Sequence, residues 1–570
     1  MRAGAVAGGD GTRAAPFGLI SGALAVATTG TTVALSRGRW DEVVSLRFGM
    51  TLRGACAAET VLTSSAPSET AGVVNVAVRG TALADLTIAD APRPGLWVSG
   101  GGAELRVDGV IIDHAGVLGG LVSYGAHLTG TELVVRNTQS RAADLSFGGG
   151  LQVDERATAD VTRVLIEGNR AFGLIARGMG TSLRLADVAV RDTLSIEADG
   201  TFGNGLDVQA GASAELARAL FERNRDVAVF VEDAGASVRL EDVVVRDTQG
   251  EDVGHAFGRA LVVQAGGSAV VARGLFEQNR EVSAFATGES ATIRLEDVVV
   301  RDTLSQESDS RFGNGLSLQG GARAELSRTL VTRNRHFGIL ADGVGTTLQL
   351  DDVVVRDTAS QESDQAFGRG LGVQSGASAL VARAALEQNR ELGVFVAGAG
   401  TSVRLEDVVV RDTRSQESDG MSGRGLGVQG GASVDVARAL LERNREVAAF
   451  AYDADTNVRL EDVVVRDTLP AECGDGCPGR SGGMGVGSYG TARLSLSRFL
   501  VARAAVCGVQ VALDGELDLA DGEVRESSVG ACVQVSGYAF SRLSTNVVYV
   551  ENGTNIASTE LPVPDASSAL

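Results

Sequence analysis

Asp108, Asp113, His114, Tyr124, His127 and Arg136 form the densest run of reactive side chains in the chain. An acid, a base and a cation are what is needed to take a proton from a carbon beside a uronic acid carboxylate. Asp113, His114, Tyr124, His127 and Arg136 are therefore the catalytic candidates. Against them, Asp113-His114 falls at a turn position, and the Ser-Tyr-Gly around Tyr124 returns as Ser488-Tyr489-Gly490. The expectation is that these are turn residues and that no catalytic centre is assigned. His336 and His255 depart from the residues at equivalent points elsewhere and are read as solvated turn histidines; Tyr452 is likewise placed at a turn.

A second set is carboxylate. Glu197 and Asp199, Glu307 and Asp309, Glu362 and Asp364, and Glu417 and Asp419 recur in loops at a fixed spacing, as do Glu251 and Asp252. They are the candidate binding loops. Calcium is the one ion that suits them, although each loop supplies only two carboxylates against the six to eight oxygens calcium takes. No metal site is assigned, no cofactor is expected, and a hydrated, mutually repelling row of loops is the main reading.

Five cysteines complete the inventory. Cys473 and Cys477 flank Gly-Asp-Gly, and Cys507 and Cys532 are separated by close to one coil of the repeat. All four are disulfide candidates, preferred over zinc because no tight cysteine pair with histidine partners is present. Cys56 is left as a small buried residue.

What positions these groups is that repeat. Val188, Val243, Val298, Val353, Val408 and Val463 open successive copies of one phrase, seen as RLEDVVVRDT at Arg239 to Thr248, with Leu133 one equal step earlier. A spacing that never slips implies one unit stacked on itself. Each unit divides again into a shorter half, Asn224 to Asp247, and a longer half, Asp192 to Asn224, whose excess is the stretch of loop composition from Leu194 to Phe202. The coil that results, about 23 residues, is too short for a helical solenoid repeat and suits three short strands with three turns. The strand candidates in one unit are 205–209, 214–221, 228–232 and 237–245, with bends at Ala217-Arg218 and Glu241-Asp242. Asn169, Asn224 and their copies, and Asp192, Asp247 and theirs, mark stacked turns. Phe147, Phe202, Phe257, Phe312 and Phe367 are expected in an aliphatic row where the loop rejoins the strand.

Residues 14–28, with Phe17, Ile20 and Leu24 at helical spacing, read as a short amphipathic helix closing the first coil. The opening GDGTRAAPFGLISGAL, the strands after it and RWDEVVSLRFGMTLRGA resemble the start of secreted bacterial right-handed parallel β-helix proteins of the pectin-lyase-like superfamily. That resemblance implies an all-β, single-stranded, right-handed solenoid with an N-terminal capping helix. The superfamily includes polysaccharide lyases, hydrolases and epimerases as well as surface proteins without activity. The chain lacks a clustered Asp pair beside an Arg or Lys, and contains no Lys at all.

Composition narrows the partners. The net charge is −21, and each Arg has carboxylates near it in sequence, so nucleic acid is excluded as a partner. No apolar run is long enough to span a membrane, and no signal peptide is visible. The expected organisation is a disordered segment 1–13, a cap with irregular first coils 14–137, regular double coils 138–482, C-terminal coils 483–550 and a tail 551–570. The expected function is a monomeric, non-enzymatic scaffold, extracellular or at the cell surface, whose loops bind carbohydrate or another surface component. The alternative is a polysaccharide lyase or epimerase.

Overall fold

The computed structural model describes residues 1–6, 8–473, 482–558 and 560–568. The chain divides into two compact units, Met1–Leu275 and Phe276–Leu570, each built of parallel strands only. In the first unit, long strands such as Ser182–Arg191, Ser213–Glu222 and Ser237–Arg246 stack in one sheet, and short strands such as Phe172–Arg177, Asn204–Gln209 and Val227–Glu232 stack in another. The second unit repeats the plan, with Thr347–Arg356, Ser378–Glu387 and Ser402–Arg411 in the long-strand sheet and Arg369–Gln374, Leu392–Ala397 and Arg424–Gln429 in the short-strand sheet. This is a parallel β-helix.

The expected strands are observed, each extending one residue further at one or both ends, and the bends fall where expected. Each long strand alternates buried and exposed residues, then slips phase at one residue: Val238, Leu240, Val243 and Val245 are buried while Arg239 and Asp242 are exposed. The slip falls where the backbone turns left-handed, at Asp242 (φ 55°) and, one coil earlier, at Arg218 (φ 51°). One left-handed residue re-aims the strand, so a single long strand supplies two of the three sides of a coil.

Asparagine fixes the next corner. Asn224 is fully buried; its Oδ1 accepts from the Thr193 amide (3.2 Å) and hydroxyl (2.7 Å), and its Nδ2 donates to the Val190 carbonyl (3.0 Å). Asn389 repeats this with Thr358 and Val355. The ladder thus alternates Asn with Thr in successive coils and satisfies backbone groups that the turn leaves unpaired. The aspartates of the outer turns do not stack on one another. Arg223 grips Asp192 through two bonds of 2.7 and 2.9 Å, and Arg218 grips Asp187 through two of 2.6 and 3.0 Å.

Several expectations are corrected. The helix spans Ile20–Val26 only, because the Glu42 carboxylate accepts the amides of Ile20 (2.6 Å) and Ser21 (3.0 Å) and sets its start there. The N-terminal stretch is not loose: the Arg2 amide donates to the Phe17 carbonyl and the Met1 amine to the Ala34 carbonyl. Cys56 is exposed, since its carbonyl closes the turn that follows the strand Thr51–Arg53 by accepting the amides of Glu59 and Thr60. Of the loop phenylalanines, Phe147 and Phe202 lie outside the core, 46% and 51% exposed, whereas Phe257, Phe312 and Phe367, with the same left-handed backbone, are half-buried. The ring of Phe147 lies 4.4 Å under the Arg141 guanidinium.

Cys507 and Cys532 are disulfide-bonded across adjacent short strands. Cys473 is also disulfide-bonded, and Cys477 lies outside the described residues. No helix among the described residues is long and apolar enough to cross a membrane.

Candidate functional site

The structure splits the catalytic candidates. Asp113, at the end of the strand Glu104–Ala115, lies beside Arg136 of the paired strand His127–Arg136. Arg136 Nη2 donates to its Oδ2 (2.8 Å), Asn137 Nδ2 to its Oδ1 (3.0 Å), and His114 Nδ1 stands 2.7 Å from the same oxygen. Partial burial raises the pKa of Asp113, but the bonds from Arg136 and Asn137 and the Arg136 charge outweigh it and hold the carboxyl below its usual range. Such a group stays ionised and saturated with donors. His127 sits at the opposite end of the strand, its Nδ1 2.6 Å from the Thr158 hydroxyl. Tyr124 is 65% exposed at a left-handed turn. Three of the five candidates meet, with Asn137 as an unforeseen fourth group, and Tyr124 and His127 do not join them.

The loops are bonded to one another. The Ser363 amide donates to the Ser310 carbonyl (3.0 Å), and the Ser418 amide to the Gln365 carbonyl (2.8 Å), so loops one repeat apart touch rather than repel. Their carboxylates are engaged locally. Asp199, Asp309, Asp364 and Asp419 each accept the amide two residues on, folding their own loop. Glu197 pairs with Arg170, Glu307 with Arg280 and Glu417 with Arg390. Glu362 is an exposed residue of the same turn. Among the described residues no three His, Cys, Asp or Glu side chains converge as a metal site would require.

A different location departs from the repeat. On the first half of the long strands one outward position alternates in charge from coil to coil: Asp160, Arg184, Glu215 and Arg239 in the first unit. In the second unit the same column runs Arg294, Glu325, Gln349, Leu380, Arg404, Asp435. Val270 in the first unit and Leu380 in the second both replace the acidic residue of this column, but Leu380 is 44% exposed, Val270 is half-buried, and Leu380 alone has a neutral partner, Gln349, where Arg294 and Arg404 stand in other coils. A shallow groove of about 460 Å³ opens at this break, its floor crossing successive strands with Arg323, Gln349, Ser378, Leu380, Arg404 and Asp435 on it. An apolar side chain flanked by an amide, hydroxyls and two guanidiniums can press on the apolar face of a sugar ring while bonding its hydroxyls. The strands beneath are about 4.8 Å apart, so equivalent donors recur along the groove at a nearly constant step.

No family model and no curated protein matches the chain. Among solved structures it is similar to the pectate lyase Pel9A (12% identity, 56% of this chain and 71% of that chain, TM-score 0.31). It is also similar to the periplasmic alginate epimerase AlgG (9% identity, 78% and 77%, TM-score 0.30) and to the PL6 family alginate lyase AlyGC (10% identity, 94% and 98%, TM-score 0.28). The fold of the chain, shown by its own stacked parallel strands, is a right-handed parallel β-helix.

The outward face of this β-helix's short-strand sheet holds one residue with no role foreseen from the sequence, Asp207, and one whose setting differs from the expected turn, His336. In the first unit Asp207 lies between the buried Leu206 and Val208 and points the opposite way. It is 7% exposed and accepts from Asn204 Nδ2 (2.8 Å). Burial, reinforced by Asp226 and Glu232, pushes its carboxyl up to about 7 against the Asn204 bond. A carboxyl poised there can take or give a proton at neutral pH. At the equivalent positions of other repeats stand Gln152, Val262, Ser317, Gly372 and Gly427, so the position varies along the repeats and carries a carboxyl once.

In the second unit the same face carries His336. It is buried rather than solvated, with Nδ1 3.0 Å from Asn314 Oδ1 and its ring edge-on to Phe312, Phe337 and Phe367. Burial and then the Arg369 charge push the imidazole down to about 3. His255 is exposed, as expected. Tyr452 ends a strand and packs on Tyr489 with ring centroids 6.1 Å apart.

Proposed function

We propose that this protein is an extracellular or cell-surface carbohydrate-binding β-helix that seats a polysaccharide chain in the groove at Gln349, Leu380 and Arg404. The observation that carries the reading is the break in the charge column. Where most coils set Arg beside Glu or Asp, two successive ones here offer an exposed apolar side chain, Leu380, and an amide, Gln349, between Glu325 and Arg404. The loops act as a bonded wall in this reading, not as the binding surface assigned to them from sequence.

The test is retention of the purified protein on immobilised neutral and uronic acid polysaccharides. Leu380→Glu puts at this point the carboxylate that Glu325 carries one repeat earlier and should weaken retention at least about tenfold, the value of one or two lost contacts. Equal retention of Leu380→Glu and the parent, or no retention on any polysaccharide, would dismiss the groove.

A second reading is favoured by Asp207. A buried carboxyl held near neutrality with an amide partner suits proton transfer at a sugar carbon, the chemistry of a polysaccharide lyase or epimerase. Release of unsaturated uronides, or epimerisation followed by NMR, that disappears in Asp207→Asn would establish it. Activity that persists in Asp207→Asn would place the proton transfer elsewhere.

A further inference from the structure

In the second unit, residues 561–568 run back across the outward face of the short-strand sheet, perpendicular to its strands. Gln534 Nε2 donates to the Leu561 carbonyl (2.8 Å) and Gln510 Nε2 to the Pro562 carbonyl (3.3 Å). Arg424 Nη1 donates to the Asp565 carbonyl (2.8 Å) and to the Ser567 hydroxyl (3.0 Å). Gln429 makes a two-way bond with Ser567, donating Nε2 to its carbonyl (2.5 Å) and accepting its amide (2.9 Å). Arg369 Nη2 reaches the Ser568 carbonyl (2.7 Å).

These contacts go almost wholly to main-chain atoms. Leu561 and Val563 add apolar anchors against a buried cluster that includes Phe450, Met484, Tyr489 and Cys507. Pro562 and Pro564 have no amide to satisfy and stiffen the segment in an extended form, which lowers the entropy lost on docking.

The face is electrically balanced for such a guest. Arg369 and Arg424 are already paired to the buried Glu391 and Glu446, so what each has left to offer is N–H groups to a neutral oxygen rather than charge to an anion. The fit is incomplete in two respects. A cavity of about 200 Å³ remains between the segment and Met421, Met484 and Val506. Arg369 Nη1, on the guanidinium that holds Ser568, is buried without a hydrogen-bond partner among the described residues. A donor at the end of the occupied stretch matches a main-chain carbonyl, as the other donors on this face do.

We infer that the outward face of the short-strand sheet between Arg369 and Gln534 is a peptide-docking groove, filled in cis by residues 561–568 and able to take the same segment from a second copy. Exchange of an identical element is a low-cost route to association, and main-chain recognition does not distinguish whose segment is bound.

The test uses a variant ending at Glu560 and a labelled peptide of residues 561–570. The truncated variant should bind the peptide at least about tenfold more tightly than the intact chain, whose own segment competes. Gln429→Ala in the truncated variant, or Val563→Asp in the peptide, should abolish binding. A folded truncated variant that ignores the peptide overturns the groove. If truncation prevents folding, Gln429→Ala and Val563→Asp in the intact chain decide the matter: each should raise amide hydrogen exchange of 561–568 while the strands stay protected, and unchanged protection overturns it. The trans form is read by sedimentation of concentrated intact protein. A dimer that Val563→Asp removes supports exchange, and a monomer at every concentration limits the segment to its own groove and overturns the second-copy claim.

Discussion

Arg369 and Glu391 form a doubly bonded ion pair shut away from solvent: Nε donates to Oε2 at 2.6 Å and Nη2 to Oε1 at 2.8 Å, with the side chains 0% and 7% exposed. Arg424 and Glu446 repeat the arrangement one repeat later, at 2.7 and 3.2 Å, and one repeat earlier the two positions hold Asn314 and His336. The pair of positions therefore changes together, charge with opposite charge and amide with imidazole.

Removing one partner of such a pair strands a buried charge. Arg369→Met should destabilise the second unit by about 3–5 kcal/mol, whereas Arg369→Met with Glu391→Leu should recover most of the loss, because desolvating both charges offsets much of their attraction. Urea unfolding of the two variants distinguishes these outcomes. A double variant as unstable as the single one would show that the ion pair is a net source of stability.

The Asn314–His336 position gives a complementary exchange. His336→Glu alone places a carboxylate against Phe312, Phe337 and Phe367 with only an amide nearby and should cost about 3 kcal/mol. Adding Asn314→Arg installs the guanidinium used one repeat later and should restore stability. Thermal melts of the single and double variants give the coupling directly.

Asp207 and His336 predict opposite responses to pH. The Asp207 carboxyl is raised from 3.8 to about 7, so the native state holds a proton that the unfolded chain releases; stability of the first unit should fall as pH rises from about 4 to 7. Asp207→Asn should remove that slope, with a gain at pH 8 of up to about 4 kcal/mol. His336 is lowered from 6.5 to about 3, so its contribution is complete above 6.5 and is lost as pH falls toward 3. Chemical denaturation of wild type and Asp207→Asn at intervals between pH 4 and 8 reads the first effect. Parallel curves would dismiss it.

What is legible in the sequence is whatever repeats. The spacing of Val243 and its copies defines the coil, and Asp242 and Arg218 mark its bend because one left-handed residue is needed at the same place in every turn. Side-chain fates that depend on a neighbouring coil are not legible. His336 looks like a solvated turn residue in its own segment and is buried only because Phe312 and Phe367 close over it. Phe202 looks like core and is half exposed, while Phe367 at the same point of a later repeat packs on His336. A search for chemistry where the repeat breaks is drawn first to histidines and tyrosines. Gln349, Leu380 and Asp207 also differ from their counterparts in other repeats and escape it, because a glutamine, a leucine and one more aspartate carry no conspicuous chemistry.

The Cys507–Cys532 disulfide should matter most where the repeat has ended. It joins neighbouring short strands at a sequence separation of 25, within the apolar cluster on which Leu561 and Val563 rest. Closing a loop of that length restricts the unfolded chain by about 3 kcal/mol, and beyond the strand of Cys532 one more short strand, Thr554–Ala557, is paired, so few coils share the load. Cys507→Ala with Cys532→Ala should lower the stability of the last coils by that amount while strands such as Ser378–Glu387 keep their protection. Hydrogen exchange resolved by peptide is the measurement. Faster exchange confined to about residues 484–557, together with release of 561–568, is the expected pattern; uniform loosening of the second unit would instead mean that it unfolds as one cooperative body.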